Sequence, residues 1–259
     1  VDVREGAFSV QVEGSPSERV LRGVEMKTLA GVLVDDPLRA VQALPGVASS
    51  RDYIAQFSLR GAAFERTGVL LDGVLLHSPF HTVQSQEKTG SVSIINADLV
   101  EEMVLHAGAP PVQYYDRTAG ALEMRLRDGS RAAPAIRVNA GVASTGVILE
   151  GPAGRQRRGS WLAAARKSYL PYLLRRSTAD DWLAFGYVDA EGRFTWDLTP
   201  AQQVTLSILD GRSDLDRTHV RERLGLNSIM NGEYHATLAS AAGRWAPASN
   251  ALVTQRLAS

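Results

Sequence analysis

Histidines, paired acids and arginine runs are the residues of this chain that could do chemistry. His77 and His81 stand four apart, a spacing that places two metal ligands on one face of a helix. Pro79 lies between them and works against a regular helix, and no third ligand follows at a recognised spacing. His106 sits in a strand-like stretch as a packing residue, while His219 and His235 have no partner pattern. Arg155, Arg157 and Arg158 could hold a phosphate, but Gly154 to Gly159 reads more simply as a solvated turn between strands. Asp35-Asp36 precedes Pro37 and is better explained as a helix cap than as a metal pair. Asp180-Asp181 and Asp214 with Asp216 fall in long loops without the spacing of a calcium loop. The chain has no phosphate-binding glycine loop, no nucleophile elbow and no His-Glu-x-x-His helix. The expectation is a protein that is not an enzyme, with no cofactor and no metal.

Composition narrows the partners. The 259 residues carry 28 Lys plus Arg against 28 Asp plus Glu, so no basic excess points to nucleic acid. Apolar residues make up 44% and charged ones 22%, which suits a folded chain. There is no cysteine, hence no disulfide and no thiolate chemistry. No run reaches the roughly 18 apolar residues of a membrane helix, but membrane β-strands give a far weaker signal. No signal peptide is visible, so export would require one removed by processing or truncation.

Signals along the chain change character near Asp128-Gly129-Ser130. Before it, helix and strand alternate. Asp36-Pro37 starts a helix with Leu38, Val41 and Leu44 on one side, and Pro45-Gly46 stops it. Short strands are expected over 56–60 and 68–71, with Asp72-Gly73 turning the second into Val74-Leu75-Leu76. Two more fall at 100–106 and 121–127. This is an α+β unit on a small mixed sheet.

After it, only strands are expected, about seven, near 136–143, 146–152, 160–169, 183–198, 204–213, 233–246 and 251–259. From Gly186 to Leu198 the even positions are small or apolar. The odd ones from Asp189 to Thr199 are Asp189, Glu191, Arg193, Thr195, Asp197 and Thr199, all polar. Short, proline-bearing connections follow the fourth and sixth strands, and long ones, 170–182 and 214–232, follow the third and fifth. That is the wiring of antiparallel amphipathic strands in an incomplete transmembrane β-barrel, with Trp196 and Trp245 near the short turns. Ser144-Thr145 breaks the long-loop rule. Alternation alone does not exclude a soluble β-sandwich or lipocalin-like barrel, although the pattern of this half favours the membrane barrel.

Five ordered stretches resemble the plug of TonB-dependent outer-membrane receptors. Asp36 to Val47 is similar to the family's helix ending in Pro-Gly-Val, and Phe57-Ser58-Leu59-Arg60-Gly61 to its Arg-Gly strand. Val69 to Val74 is similar to its Leu-Asp-Gly hairpin, Leu99 to Ala109 to the strand usually ending in Arg-Gly-Pro, and Tyr115 to Leu122 to the closing segment. The departures are His106-Ala107-Gly108-Ala109-Pro110 in place of Arg-Gly-Pro, and Asp116 in place of glycine. The match runs over about 30–128.

The resemblance implies an N-terminal extension over 1–29 as a possible TonB-contacting region, a plug over 30–130, and the first strands of a truncated barrel over 131–259. Val1-Asp2-Val3 is the only TonB-contact candidate within these residues, and the alternative is a segment upstream of them. It implies a receptor in the bacterial outer membrane that takes up a scarce solute (siderophore, cobalamin, glycan or similar), with TonB, membrane lipid and the solute as partners. The family's apical loops correspond to 48–54, 62–67 and 75–82, which nominates Arg51, Tyr53, Phe64, Arg66, His77, Phe80 and His81 as ligand contacts. Pro45, Gly46, Arg60, Gly61, Asp72, Gly73, Gly108 and Gly120 form the structural motif, and Arg60, Asp72 and Arg125 would hold the plug together or to the wall. The rival readings are a non-transporting binding protein, with an α+β domain fused to a soluble β-sandwich or barrel, and a hydrolase.

Overall fold

The computed structural model describes residues 18–29, 36–49, 55–82, 90–108, 114, 117–141, 144–169, 185–216, 231–248 and 251–259. The N-terminal unit contains β1 (Glu18–Arg22), α1 (Gly23–Leu29), α2 (Pro37–Gln42), β2 (Val47–Ala48), β3 (Ser58–Leu59), β4 (Thr67–Leu71) and β5 (Val74–Leu75). It continues with β6 (Phe80–Thr82), β7 (Gly90–Ser93), β8 (Val100–Ala107) and β9 (Gly120–Leu126). Its main sheet has the order β1-β8-β9-β4-β5. β4 and β9 run parallel and the other neighbours antiparallel, so the sheet is mixed as expected.

Local chemistry accounts for the elements. Asp36 caps α2: its backbone is extended and its Oδ1 accepts the Leu38 N–H at 2.9 Å. Pro37 opens the helix, and Leu38, Ala40 and Val41 are buried along it. Asp72 and Gly73 turn β4 into β5 with φ of 50° and 77°, the paired left-handed conformation of a tight hairpin turn. Leu59, Leu71, Met103, Leu105, Leu122 and Met124 form the core of the sheet, with Met26 of α1 and Leu38 of α2 packed into it.

Two features depart from the sequence reading. Residues 18–29, expected as an extension ahead of the plug, carry α1 and the edge strand β1, in register with β8 from Glu18↔His106 to Arg22↔Glu102. The stretch 75–82, expected as an apical loop, ends in β6, which pairs with β7. Val1-Asp2-Val3 lies outside the described residues.

The second unit is one antiparallel sheet in chain order: β10 (Ala135–Ala140), β11 (Ser144–Ala153), β12 (Gly159–Ser168), β13 (Phe185–Thr199), β14 (Gln202–Asp216), β15 (Asn231–Ala248) and β16 (Ala251–Ala258). These are the seven expected strands. β13, β14 and β15 have 15, 15 and 18 residues, beyond the roughly 9–11 that cross a bilayer. The turns after β11, β13 and β15 share one end of the sheet. The connections 170–184 and 217–230 lie outside the described residues.

Polarity across this sheet is inverted relative to a soluble protein. Asp189, Glu191, Arg193 and Thr195 on β13 are buried, at 1%, 5%, 8% and 1% exposure. The alternate positions, with Val188, Phe194 and Leu198 of β13 and Leu206 and Ile208 of β14, are 39–51% exposed. A soluble sandwich buries the apolar face of each sheet. Here the apolar face is outside and the polar face covers the N-terminal unit, the polarity of a membrane barrel around a filled lumen.

Gly120 is a sharp test of the N-terminal sheet. A Cβ there would lie 2.3 Å from the His106 carbonyl oxygen and 2.6 Å from Leu59 Cδ2. Gly120→Ala is expected to cost about 2–3 kcal/mol through forced separation of β8 and β9, read as a lower denaturant midpoint; an unchanged midpoint refutes this packing.

Candidate functional site

The N-terminal unit is seated on the wall by two polar clusters, each built from a turn of that unit and the inward face of the long strands. The first lies under the β6–β7 hairpin. His81 Nε2 is 2.6 Å from Asp189 Oδ1, and the His81 ring stacks on Tyr187 at 4.6 Å between centroids. Arg166 of β12 donates through Nε to Asp189 at 2.9 Å and through Nη2 to the Ser93 carbonyl at 2.7 Å. The Asn96 N–H donates to Glu191 Oε1 at 2.7 Å, and the Ser93 N–H to Asp36 Oδ2 at 2.8 Å. Asp36 therefore caps α2 and ties it to the hairpin that rests on the wall.

The second cluster gathers the Asp72–Gly73 turn and the segment after β9. Arg193 of β13 donates to Asp72 at 2.5 Å and to Asp128 at 2.7 Å, and Thr195 donates to Asp128 at 2.8 Å. The other oxygen of Asp72 accepts the Leu126 N–H, joining turn, sheet and wall. Glu150 of β11 receives Arg127 at 2.6 Å and the Ser130 N–H at 3.1 Å, and Arg131 grips Asp197 with both terminal nitrogens. Hydrogen bonding to Asp197 holds the Arg131 guanidinium above its ordinary range.

The nominated contacts separate in space. Arg66 and His77 are exposed, and the Arg66 carbonyl accepts the Ala119 N–H. Phe64 is half-buried, 5.2 Å from the Phe57 ring and 4.9 Å from the Phe80 ring. Phe80 and His81 are buried at 3% and 0% exposure, so the structure places them in the seat rather than on an open loop. The reason is the pairing of β6 with β7, which points His81 at Asp189. Arg51 and Tyr53 lie outside the described residues, as do His219, Asp180 and Asp181.

Of the structural motif, Asp72 joins the wall. Arg125 stays within the N-terminal unit with Glu102 and Glu123, each at 3.5 Å. Arg60 is left-handed at φ 51°, and its guanidinium lies over Gly108. Pro45, Gly46 and Gly61 occupy turns. His106 is buried, 3.2 Å from Glu18, and Arg155 to Arg158 form an exposed turn. Arg166, Asp189, Glu191 and Arg193 had no role in the sequence reading. The polar alternation of 189–195 marked the face shared by Asp189, Glu191 and Arg193 but did not reveal what that face meets.

Fold and seat together define a plug-filled barrel wall of the outer-membrane receptor type. Residues 10–122, somewhat under half of the chain, match the TonB-dependent receptor plug domain. The siderophore receptor PirA from Pseudomonas aeruginosa superposes with a TM-score of 0.62 at 16% identity, over 95% of this chain and 40% of that one. A mutant of the ferric enterobactin receptor PfeA from the same organism gives 0.65 at 14%, over 94% and 40%. The copper transporter OprC gives 0.59 at 14%, over 98% and 37%. The chain spans about two fifths of the length of these receptors. Comparison with curated proteins gives no match.

Two predictions concern the seat. Arg193→Ala leaves Asp72 and Asp128 facing a wall without their cation and is expected to cost about 3 kcal/mol; the figure sits at the low end because Asp128 is 39% exposed. A double-mutant cycle with Asp72→Asn should show strong coupling, and additive effects would disprove the contact. Burial pushes the Asp36 carboxyl up, offset in part by the Ser93 and Leu38 N–H groups. A carboxyl raised on folding contributes stability that is complete below its unfolded value and lost as pH rises through the folded one. Asp36→Asn should therefore flatten the fall in denaturant midpoint from acid to neutral pH; parallel curves for the two proteins would exclude this.

Proposed function

We propose that this chain is the plug and first wall strands of an outer-membrane receptor that imports a scarce solute, with TonB as energy source. The observation that carries the reading is the inverted wall, with charged residues buried against a plug and apolar residues exposed over β13 and β14. A soluble binding protein has no use for that exposed apolar band. Solved receptors on which it superposes are described as handling siderophores or copper, which supports scarce metals and their chelates as the cargo class.

In this reading the apex of the plug meets the solute and the seat holds the plug until TonB acts. Arg66 and His77, both exposed, are the described residues we assign to solute contact. Phe80 and His81 act one step behind, fixing the hairpin. The plug domain match is what brings TonB to this chain as a partner.

The test is growth of a deletion strain, complemented with the complete receptor, on a panel of ferric siderophores, copper and cobalamin as limiting sources. One or more should restore growth only when TonB is present, and uptake that survives loss of TonB would sink the mechanism. Arg66→Ala with His77→Ala should weaken solute binding by about tenfold while leaving the unfolding midpoint in place. Unchanged affinity would remove both residues from the binding surface.

A further inference from the structure

Beside the Asp72–Gly73 turn, the inner wall carries more guanidinium than carboxylate. Inward positions cross the sheet in register: Arg193 pairs with Ser207, and Ser207 with Ser240. Two residues nearer the short turns Ala242 pairs with Arg256, and two further on Arg244 stands opposite Gln203. The period of two along a strand puts these side chains on one face. The acids of this patch are already engaged: Asp72 and Asp128 share Arg193, and Asp197 is held by Arg131. Four guanidiniums (Arg131, Arg193, Arg244, Arg256) against three carboxylates (Asp72, Asp128, Asp197) leave one positive charge in excess. Arg244 and Arg256 make no hydrogen bond or ion pair among the described residues.

Arg193, Arg244 and Arg256 of this patch border a concavity between plug and wall. It is lined by Arg193, Arg244, Arg256, Ser207 and Ser240, with Asp72 the only acid on its surface. Arg256 is brought into it by the absence of a side chain at Gly73, where a Cβ would stand 2.6 Å from Arg256 Nη1.

We propose that this concavity binds a small oxyanion, a carboxylate or phosphate group, held by Arg244 and Arg256 and by the hydroxyls of Ser207 and Ser240. A planar guanidinium presents paired donors that match two oxygens of such a group. Arg193, locked by two aspartates, supplies a fixed edge to the site. An acidic cargo passing between plug and wall meets this anion site on its way. That role rests on the uptake reading above; the binding itself does not.

The experiment uses the complete receptor in detergent, with the heat-unfolding midpoint titrated against inorganic phosphate and, separately, acetate. Ionic strength is held constant with chloride. One of the two should raise the midpoint saturably. Arg244→Gln and Arg256→Gln should each weaken the apparent affinity by about tenfold or more, and Arg244→Lys, which keeps the charge and loses the fork, by less. Lys167→Gln, on the outer face, should behave as the unmodified protein. A response to phosphate alone assigns the site to phosphate, and one to acetate alone assigns it to carboxylates. No saturable rise with either, or an equal rise in every variant, overturns the proposal. Because the readout is binding, a receptor that binds the anion yet supports no uptake would refute the transport reading and leave this site standing.

Discussion

Arg193 is the contact on which the arrangement of the two units depends. It stands on the covered face of β13, where an unpaired charge would be costly, and among the described residues its charge is met by Asp72 and Asp128, with the Ser207 hydroxyl as a further acceptor. Those aspartates come from a hairpin turn of the plug and from the segment that leads out of it. One side chain therefore fixes the plug sheet, its exit and the wall relative to one another. Asp189 has the same role higher on the strand, where it must meet both Arg166 and His81. Two of the plug's turns are thus positioned by the need to neutralise a buried row of charges.

This constraint also explains why the interface is polar. A barrel in lipid has its apolar surface committed to the outside, so the lumen face must be polar, and a plug that fills it meets charges and hydroxyls. Water entering along the seam can take over hydrogen bonds that a dry apolar core would lose outright. The buried apolar contacts of the plug, from Leu38 and Met26 to Leu122, keep it folded as a unit. Ile148, Leu162 and Leu209 of the wall join this core and add apolar area to the polar pairs.

Much of the fold was legible because it is written in local chemistry. The cap at Asp36, the Asp72-Gly73 turn and the alternation from Gly186 to Leu198 each signal through nearest neighbours, and all three hold in three dimensions. β1 escaped notice because its only support is β8, some eighty residues away, and its sequence Glu-Arg-Val-Leu-Arg has little pattern of its own. The surroundings of His81 were illegible for a related reason. Beside His77 it looks like an open-loop residue, and only the pairing of β6 with β7 turns it inward.

By itself the sequence determined the α+β unit, the seven strands, the face of β13 that is polar and the turn at Asp72, since each follows from periodicity, capping or backbone preference within a few residues. It also carried the ordered motifs by which the plug is known. The tertiary structure decided which face of the sheet is covered, because alternation has two solutions and only the burial of Asp189 to Thr195 chooses between them. It decided the partners of Asp72, His81 and Arg193 as well. Pairing between charges more than a hundred residues apart depends on how two units meet in space, and no local pattern records that.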